Sequence, residues 1–314
     1  MFKRFFISLL VILLLGSVYT LFRLDASTQA IDSELYPSVV SSTYTAKEPV
    51  VLLNYASGPE VFFKNQQALT ASAVSRGFDM VLNMNRNLID PTFYEANRHI
   101  LDQKPGGGFW LWKPYFIYRA MQTLPDDTLI FYSDSGVVYT KPINKIKRLL
   151  EASDMVLVKH SHPTPLSQHL KREAYEALGI ADDSPELQSE NIWGFFIALR
   201  NNSKTRAFIK SWLDVCLNAD AITNTPMDKN NQAANFQWHQ HDQSLLSVLV
   251  AKDPDGKIVI PKREMRKEYG VHNFHRHQHR SDESPLFLSL GYHRYISEVF
   301  WNNALMRAIR RWFL

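Results

Sequence analysis

Short apolar runs alternate with amphipathic segments along most of this chain. The runs at 50–53 and 128–132 are continuous, which is typical of strands buried on both faces of a sheet. A helix-forming segment at 66–76 ends at Gly77, and a second strand is predicted at 78–83. Strand, helix and strand in close succession predict a parallel βαβ unit and an α/β fold. Further helices are predicted at 91–101, 114–124, 142–152, 170–178 and 203–216, and further strands at 154–160, 191–200 and 257–261.

The strand at 128–132 ends abruptly in Ser133-Asp134-Ser135-Gly136. A carboxylate at the carboxyl end of a buried strand lies where open α/β sheets place their ligands, and Gly136 lets the backbone turn beside it. An ordinary Asp-Ser-Gly turn explains the same residues equally well. The chain is organised around this strand, and Asp134 is its first candidate for chemistry.

The N-terminus carries a different pattern, because residues 5–22 contain no charged side chain. As a helix this segment would be about 27 Å long, enough for a thin bilayer. Lys3 and Arg4 precede it, which places residues 1–4 in the cytoplasm and the rest of the chain outside, a type II single-pass arrangement. A cleaved signal peptide is the alternative, although its apolar region would be unusually long. The polar residues 23–48 are predicted to be a stem or linker, and 49–314 the catalytic domain.

The segment 104–114 contains three consecutive glycines followed closely by Trp110, Trp112 and Lys113. Glycines allow a ligand to approach the backbone, a tryptophan offers a stacking face, and a lysine offers a point charge for a phosphate. A glycine loop covered by core tryptophans is the structural alternative. The spacing does not match a phosphate-binding P-loop.

Three later segments carry further candidates. Asp242 is predicted to be the N-cap of a helix, with apolar residues repeating on one face as far as Val250. Trp193 and Gly194 lie at the mouth of the strand 191–200, whereas Trp212 is predicted to be a core residue. Four histidines fall in one polar segment near the C-terminus: His272, His275, His277 and His279.

Composition narrows the possibilities without deciding the function. The chain has 314 residues, of which 45% are hydrophobic, so one large core can form and disorder is not indicated. Its net charge of +4 is mild, and no nucleic-acid motif is present. Cys216 is the only cysteine, so no intramolecular disulfide can hold the fold.

Four motifs occur together in order, and the set resembles a membrane-anchored glycosyltransferase with the GT-A (nucleotide-diphospho-sugar transferase) fold. They are Gly-Gly-Phe-Trp-Leu-Trp-Lys-Pro at 107–114, Ile-Phe-Tyr-Ser-Asp-Ser-Gly at 130–136, Trp-Gly-Phe-Phe at 193–196 and His-Asp-Gln-Ser-Leu-Leu at 241–246. The resemblance covers roughly 50–262. It implies a Rossmann-type mixed sheet flanked by helices and preceded by one transmembrane helix, with a nucleotide-sugar donor lying across the C-terminal edge of the sheet.

The resemblance also implies roles for particular residues. Asp134 matches the last carboxylate of a DxD-like motif, which holds a Mn²⁺ or Mg²⁺ ion that bridges the two phosphates of the donor. Tyr132 stands where such enzymes usually have the first carboxylate. His272 or His275 would complete the metal site. Lys113 would neutralise the diphosphate, and Tyr55 would touch the nucleobase.

On the acceptor side, the resemblance assigns Trp193, Gly194 and His241 to substrate binding and places Asp242 near the reacting carbon. Asp242 would be the general base of an inverting enzyme, whereas in a retaining enzyme Asp242 or a neighbour would stabilise the positive charge. The implied enzyme is a hexosyltransferase-like glycosyltransferase. Its acceptor would be a glycan, a glycolipid or a glycoprotein.

The membrane partner would be reached through the N-terminal helix, and no nucleic acid is expected as a partner. The catalytic domain would face a Golgi-like lumen in a eukaryote or lie at the inner membrane of a bacterium. Two alternatives remain: a non-catalytic binding protein on the same fold, because the first carboxylate is missing, and a zinc hydrolase that uses the histidine segment.

Overall fold

The structure is a computed structural model that describes residues 48–74 and 76–273. A six-stranded sheet forms its centre, and a two-stranded ribbon lies beside it. The strands are β1 Val50–Ala56, β2 Met80–Asn85, β3 Leu129–Ser133, β4 Val137–Tyr139, β5 Met155–Lys159, β6 Ile192–Arg200, β7 Lys257–Pro261 and β8 Val271–Asn273. The helices are α1 Glu60–Ala73, α2 Pro91–Ala96, α3 Arg98–Leu101, α4 Trp112–Thr123, α5 Asn144–Ala152, α6 Arg172–Ala177, α7 Ser203–Cys216, α8 Ala219–Ile222, α9 Asp242–Lys252 and α10 Lys262–Glu264.

Shorter helical turns occur in the connections. Four are 3₁₀ turns, at Arg86–Leu88, Leu166–Gln168, Pro185–Gln188 and Lys229–Asn231, and Met265–Tyr269 is a π-helical turn. A further turn, Gly106–Phe109, has helical hydrogen bonds but left-handed backbone angles.

The central sheet is mixed, with the strand order β2-β1-β3-β6-β5-β7. β1 pairs in parallel with β2 and β3, and β5 pairs in parallel with β7. β6 runs antiparallel to both β3 and β5, between which it lies. The mixed α/β sheet predicted from the sequence is therefore confirmed, and the parallel pairing of β1 with β2 agrees with the predicted βαβ unit.

Both faces of the sheet are covered, which explains why the strands have continuous apolar sequences. In β3, Ile130 and Tyr132 face one hydrophobic cluster and Leu129 and Phe131 face the other. Residues of α4, α7 and α9 belong to the first cluster, and residues of α1 and α5 belong to the second. The face covered by α4, α7 and α9 is therefore the one toward which Tyr132 points.

The helices differ from the predictions mainly at their ends. The helix predicted at 66–76 begins at Glu60, and the helix predicted at 91–101 is divided at Asn97 into α2 and α3. The side chain of Asp90 caps α2 by accepting hydrogen bonds from the amides of Thr92 and Phe93, which fixes the start at Pro91. In contrast, α7 and β7 have the predicted bounds, and Trp212 in α7 is fully buried as predicted.

The prediction that Asp242 is an N-cap is wrong. The helix α9 begins at Asp242 itself, and His241 occupies the N-cap position without a side-chain capping hydrogen bond. His241 has φ 53° and ψ −124°, a backbone conformation that turns the chain sharply before the helix. The Asp242 carboxylate is consequently available for contacts outside its own helix.

Several predicted features lie outside the described residues. These are the cytoplasmic segment 1–4, the transmembrane anchor 5–22, all but the last residue of the stem 23–48, His275 and the histidines after it. Within the part of the chain that the structure describes, no helix has both the length and the apolar character needed to cross a bilayer. The anchor and the type II arrangement remain predictions.

Asn201 ties the start of the central strand to the helix before it. Its fully buried side-chain amide donates hydrogen bonds to the carbonyls of Met121, Leu124 and Pro125, each at 3.0 Å. Its backbone amide donates to the Thr128 carbonyl at 2.8 Å. The connection from α4 to β3 is thereby held against the end of β6.

We expect Asn201→Ala to lower the free energy of unfolding by about 2 kcal/mol, because three carbonyls, one of them fully buried, lose the two amide hydrogens that they share. Urea denaturation followed by circular dichroism measures this change. The matched control is Asn224→Ala, which alters an exposed asparagine and is expected to change stability by less than about 0.5 kcal/mol. Equal effects of the two substitutions would show that the buried amide does not fix this connection.

Candidate active site

A buried lysine lies between two carboxylates at the carboxyl end of β3. The Nζ atom of Lys113 is 3.0 Å from Oδ2 of Asp242 and 3.5 Å from Oδ1 of Asp134. It also donates a hydrogen bond of 3.0 Å to the Gly194 carbonyl. The side chains of Lys113 and Asp242 are 4% and 3% exposed, whereas that of Asp134 is 13% exposed. Asp134 is therefore the carboxylate nearer to solvent.

Burial and charge determine the protonation of this group of residues. Burial lowers the pKa of Lys113, but the charges of Asp134 and Asp242 outweigh it and hold the pKa above its ordinary value. Burial raises the pKa of Asp242 to about 6, although the Lys113 ammonium opposes this shift. Lys113 is thus an ammonium at neutral pH, and Asp242 changes its charge close to neutrality.

Tyr132 and Asp134 act together because they are two residues apart along an extended segment, so their side chains leave on the same side. The Tyr132 hydroxyl donates a hydrogen bond of 2.5 Å to Oδ1 of Asp134. Burial raises the pKa of Tyr132 far above its usual range, and the charge of Asp134 raises it further. The tyrosine is therefore a permanent donor that fixes the Asp134 carboxylate.

Asp242 is held by its backbone and by its neighbour in α9. The indole N–H of Trp212 donates to the Asp242 carbonyl at 2.9 Å. Oε1 of Gln243 accepts a hydrogen bond of 3.0 Å from the Gly194 amide, so the start of α9 is joined to β6. Contacts with α7 and with β6 therefore fix the start of α9, and with it the Asp242 carboxylate.

Two helices begin at this site. Lys113 is the second residue of α4, and Asp242 is the first residue of α9. A helix N-terminus carries a partial positive charge, which disfavours a lysine and favours an aspartate. Lys113 tolerates its position because the two carboxylates compensate for the repulsion. An anion that reaches this point meets two helix N-termini and an ammonium, together with the two carboxylates that pair with that ammonium.

The glycine segment before α4 forms a left-handed turn. φ is positive at five consecutive residues, from Gly106 to Trp110. Gly108 must be glycine because a Cβ there would lie 2.6 Å from the Leu101 backbone. Phe109 and Trp110 are not glycines, and the left-handed conformation costs about 1–2 kcal/mol for each. This strained turn delivers Trp112 and Lys113 to the end of β3.

Tyr55, predicted to contact a nucleobase, lies beneath this turn. Its ring stacks on Trp112 with 3.7 Å between ring centroids, and the residue is 5% exposed. The tryptophan lies in turn beside Lys113, whose Nζ is 5.8 Å from its ring centroid. Tyr55 therefore supports the lysine through Trp112, and a contact with a nucleobase remains a prediction.

His241, predicted to bind substrate, is buried between the left-handed turn and α8. Its Nδ1 lies 2.8 Å from the Ile222 carbonyl, so Nδ1 carries the proton and donates the hydrogen bond. The ring contacts Phe109 and Trp110, with centroid distances of 4.7 and 5.7 Å. Burial lowers the pKa of His241 to about 4, so the imidazole is neutral at physiological pH.

Trp193 and Gly194 flank the site on β6. Gly194 contacts Lys113 and Gln243 through its backbone, and Trp193 lies under the ammonium of Lys262, 4.1 Å from its ring centroid. The structure thus brings Asp134, Asp242, Lys113 and Gly194 together, with Trp193 beside them.

The predicted metal ligands come from separate segments. Asp134 lies at the site, and the Nε2 atom of His272 is 3.0 Å from the Thr140 hydroxyl. The assignment of His272 or His275 as a metal ligand remains a prediction. Burial lowers the pKa of His272 to about 4, and the charges of Arg266 and Lys141 lower it further. Among the described residues, no group of three or more His, Cys, Asp or Glu side chains could hold a metal ion. One carboxylate such as Asp134 fits an ion whose other ligands are substrate phosphates and waters, which is common for Mg²⁺.

Sequence reasoning missed the partners that hold the site in place. Gln243 and Trp212 orient Asp242, and neither carried a sequence signal for that role. Tyr132 did carry one, since its spacing from Asp134 predicts that the two side chains point the same way.

Comparisons with known proteins were made for sequence and for structure. The sequence matches no known protein family and no curated protein. The structure is similar to mouse xyloside xylosyltransferase 1, with 13% identity, a TM-score of 0.37 and coverage of 71% of this chain and 91% of that one. The glycosyltransferase GlyE of Streptococcus pneumoniae TIGR4 is similar with 11% identity and a TM-score of 0.35, and the alignment covers 68% of this chain and 45% of that one. The structure is also similar to the galactosyltransferase LgtC in complex with donor and acceptor sugar analogs. The identity is 12%, the TM-score is 0.34, and the alignment covers 67% of this chain and 72% of that one. All three TM-scores are below 0.5, so these similarities carry no conclusion about the function of this chain.

Gly194 offers a direct test of the site geometry. A Cβ at this position would lie 3.3 Å from Lys113 Nζ and 3.5 Å from Asp242 Oδ2. We expect Gly194→Ala to displace the lysine and to lower kcat/KM by about 10–100-fold, since small misplacements of catalytic groups are costly. Steady-state kinetics measures this loss, and thermal unfolding reports the integrity of the fold. Gly179→Ala is the control for a methyl group that strains the backbone away from the site, because its φ is +66° and no atom lies within 4 Å of its Cβ position. It is expected to lower stability without lowering kcat/KM. Full activity of Gly194→Ala would show that the lysine position does not matter.

Proposed function

We propose that this protein is a glycosyltransferase that moves a sugar from a nucleoside-diphosphate donor to a hydroxyl group of an acceptor. The observation that carries the proposal is the buried Lys113 ammonium between Asp134 and Asp242 at the end of β3. A cation and two carboxylates in a water-poor site suit a reaction in which a diphosphate leaves and a hydroxyl loses a proton. The ordered motifs at 107–114, 130–136, 193–196 and 241–246 support the same reaction.

On the donor side, Lys113 and the N-terminus of α4 would bind the diphosphate. Both features favour negative charge, and the ammonium is already fixed by two carboxylates before the donor arrives. Asp134 would hold a divalent cation together with the phosphate oxygens, and such a cation would supply additional positive charge as the diphosphate leaves. His272 and His275 remain the proposed further ligands.

On the acceptor side, Asp242 would accept the proton of the attacking hydroxyl group. The bond from that oxygen to the anomeric carbon forms as the bond from the carbon to the diphosphate breaks, and the diphosphate leaves with the electron pair. A carboxylate with a pKa near 6 is a suitable base at neutral pH. In a retaining reaction the same carboxylate would stabilise the positive charge on the sugar.

Membrane attachment through residues 5–22, with the catalytic domain outside the cytoplasm, is part of this proposal. The acceptor class proposed here is a glycan, carried as such or on a lipid or protein.

The experiment that tests the function is a panel of sugar nucleotides, assayed with and without Mn²⁺ for release of a nucleoside diphosphate. We expect one donor to be consumed and Asp134→Asn to lower that rate at least about 100-fold while the protein stays folded. Asp126→Asn is the matched control, because this exposed aspartate lies just before β3 and pairs at the surface with Arg206. If no donor is consumed, the non-catalytic binding protein is the better description.

The proposed role of Asp242 predicts a pH dependence. Its pKa of about 6 means that the carboxylate is protonated below that pH and ionised above it. We expect kcat/KM to fall about tenfold for each pH unit below 6 and to level off above it. Asp242→Asn is expected to be inactive at every pH. A wild-type profile that stays flat between pH 5 and 8 would assign the proton transfer to another group.

A further inference from the structure

A row of four aromatic rings runs from the site to the surface. Trp193 precedes Gly194 on β6, and its ring contacts His160 with 4.4 Å between centroids. His160 faces His169 at 6.3 Å, and His169 contacts Trp238 at 4.6 Å. We refer to these four residues as the aromatic row. Three successive ring contacts make it longer than a single sugar ring.

Trp238, at the outer end of the row, is unusually exposed for a tryptophan. Trp238 is 55% exposed, and only Phe63 and Val74 are other exposed large hydrophobic residues in the described part of the chain. Its segment is anchored to the row, because the amides of Gln237 and Gln240 donate to the carbonyls of Gln168 and His169 at 2.9 and 3.0 Å. The same segment continues directly into Asp242. The exposed indole therefore has a fixed position relative to the proposed base.

The interior of the row contains polar atoms without partners. Trp193 Nε1, His160 Nε2 and His169 Nδ1 are buried, and none of them has a hydrogen-bond partner within 48–74 or 76–273. A buried polar atom without a partner costs about 1–3 kcal/mol, so three of them in contacting rings are expensive for a purely structural cluster. Burial also lowers the pKa of His160 to about 4, so this ring is neutral and can either donate or accept.

A carbohydrate matches this combination. One face of a pyranose ring presents C–H groups that pack on an indole, and its edge presents hydroxyl groups that donate and accept hydrogen bonds. Apolar rings with a few isolated polar atoms are the usual lining of a site for such a ligand. Peptide or lipid chains lack this alternation of an apolar face and hydroxyl-bearing edge.

We propose that the aromatic row is the acceptor subsite and that the acceptor is an oligosaccharide of at least two sugar rings. Its outer ring stacks on the exposed indole of Trp238, and its next ring lies along the outer surface of the row. The hydroxyl groups pair with the enclosed ring nitrogens of Trp193, His160 and His169 when these side chains turn outward. The attacking hydroxyl then lies at the inner end of the row, beside Gly194 and Asp242. The direction of transfer rests on the proposed function, whereas oligosaccharide binding does not.

Binding is tested first, without any reaction. Saturation-transfer NMR is recorded on the wild-type protein with cellobiose, lactose, maltotriose and chitobiose, one at a time. We expect at least one of them to bind and Trp238→Ala to weaken binding at least about tenfold. Trp238→Phe retains an aromatic face and is expected to bind within a few-fold of wild type. Phe63→Ala is the matched control, because it removes another exposed aromatic ring, on α1, that is not part of the row.

A second measurement separates this proposal from the proposed function. With an active donor, Trp238→Ala is expected to raise the acceptor KM about tenfold with a smaller change in kcat, whereas Phe63→Ala is expected to change neither. If oligosaccharide binding depends on Trp238 but the protein consumes no donor, the proposed subsite is supported and the proposed glycosyltransferase function is contradicted. If the protein transfers sugar to a peptide or lipid acceptor and Trp238→Ala does not change the rate of this transfer, the proposed subsite is contradicted and the proposed glycosyltransferase function is supported. Absence of oligosaccharide binding to the wild type, with or without a nucleoside diphosphate, would also overturn the subsite.

Discussion

The contact of one ammonium with two carboxylates is the constraint on which the rest of the structure depends. Lys113, Asp134 and Asp242 come from α4, from the end of β3 and from the start of α9. Bringing such charges out of water costs several kcal/mol per ion, which the attraction between them offsets only when the geometry is good. Hydrophobic residues would stabilise the same position at least as well, so the charges are better explained by chemistry than by stability.

The surrounding fold keeps this geometry at the expense of local strain. The left-handed turn before α4 places Lys113, and the unusual backbone of His241 places Asp242. These two strained segments contact each other, since the His241 ring lies against Phe109 and Trp110. Strain that clusters around a functional group is typical of a preorganised site, because the core on either side overdetermines the conformation. The aromatic row extends the same site outward along the segment that ends at Asp242.

Much of this fold follows from the sequence, because its strands are continuous apolar runs ended by polar or glycine residues. The position of Asp134 at the end of β3 follows from the same pattern. The burial of Lys113 could not be predicted, since a lysine near a helix start is usually solvated and its two partners are distant in sequence. The N-cap prediction for Asp242 failed for a related reason: the tertiary ion pair outweighed the local preference for capping. The aromatic row was also missed, because its rings come from three segments that are distant in sequence. The pairing of β5 with β6 and the backbone hydrogen bonds from Gln237 and Gln240 bring these segments together.

The central claim is that Lys113 is the cation that receives the diphosphate. A crystal structure of the protein with a bound nucleoside diphosphate tests it most directly. The account predicts phosphate oxygens within hydrogen-bonding distance of Lys113 Nζ, at the end of β3 and beside Asp134. A diphosphate bound elsewhere, with Lys113 still enclosed by Asp134 and Asp242 alone, would contradict it.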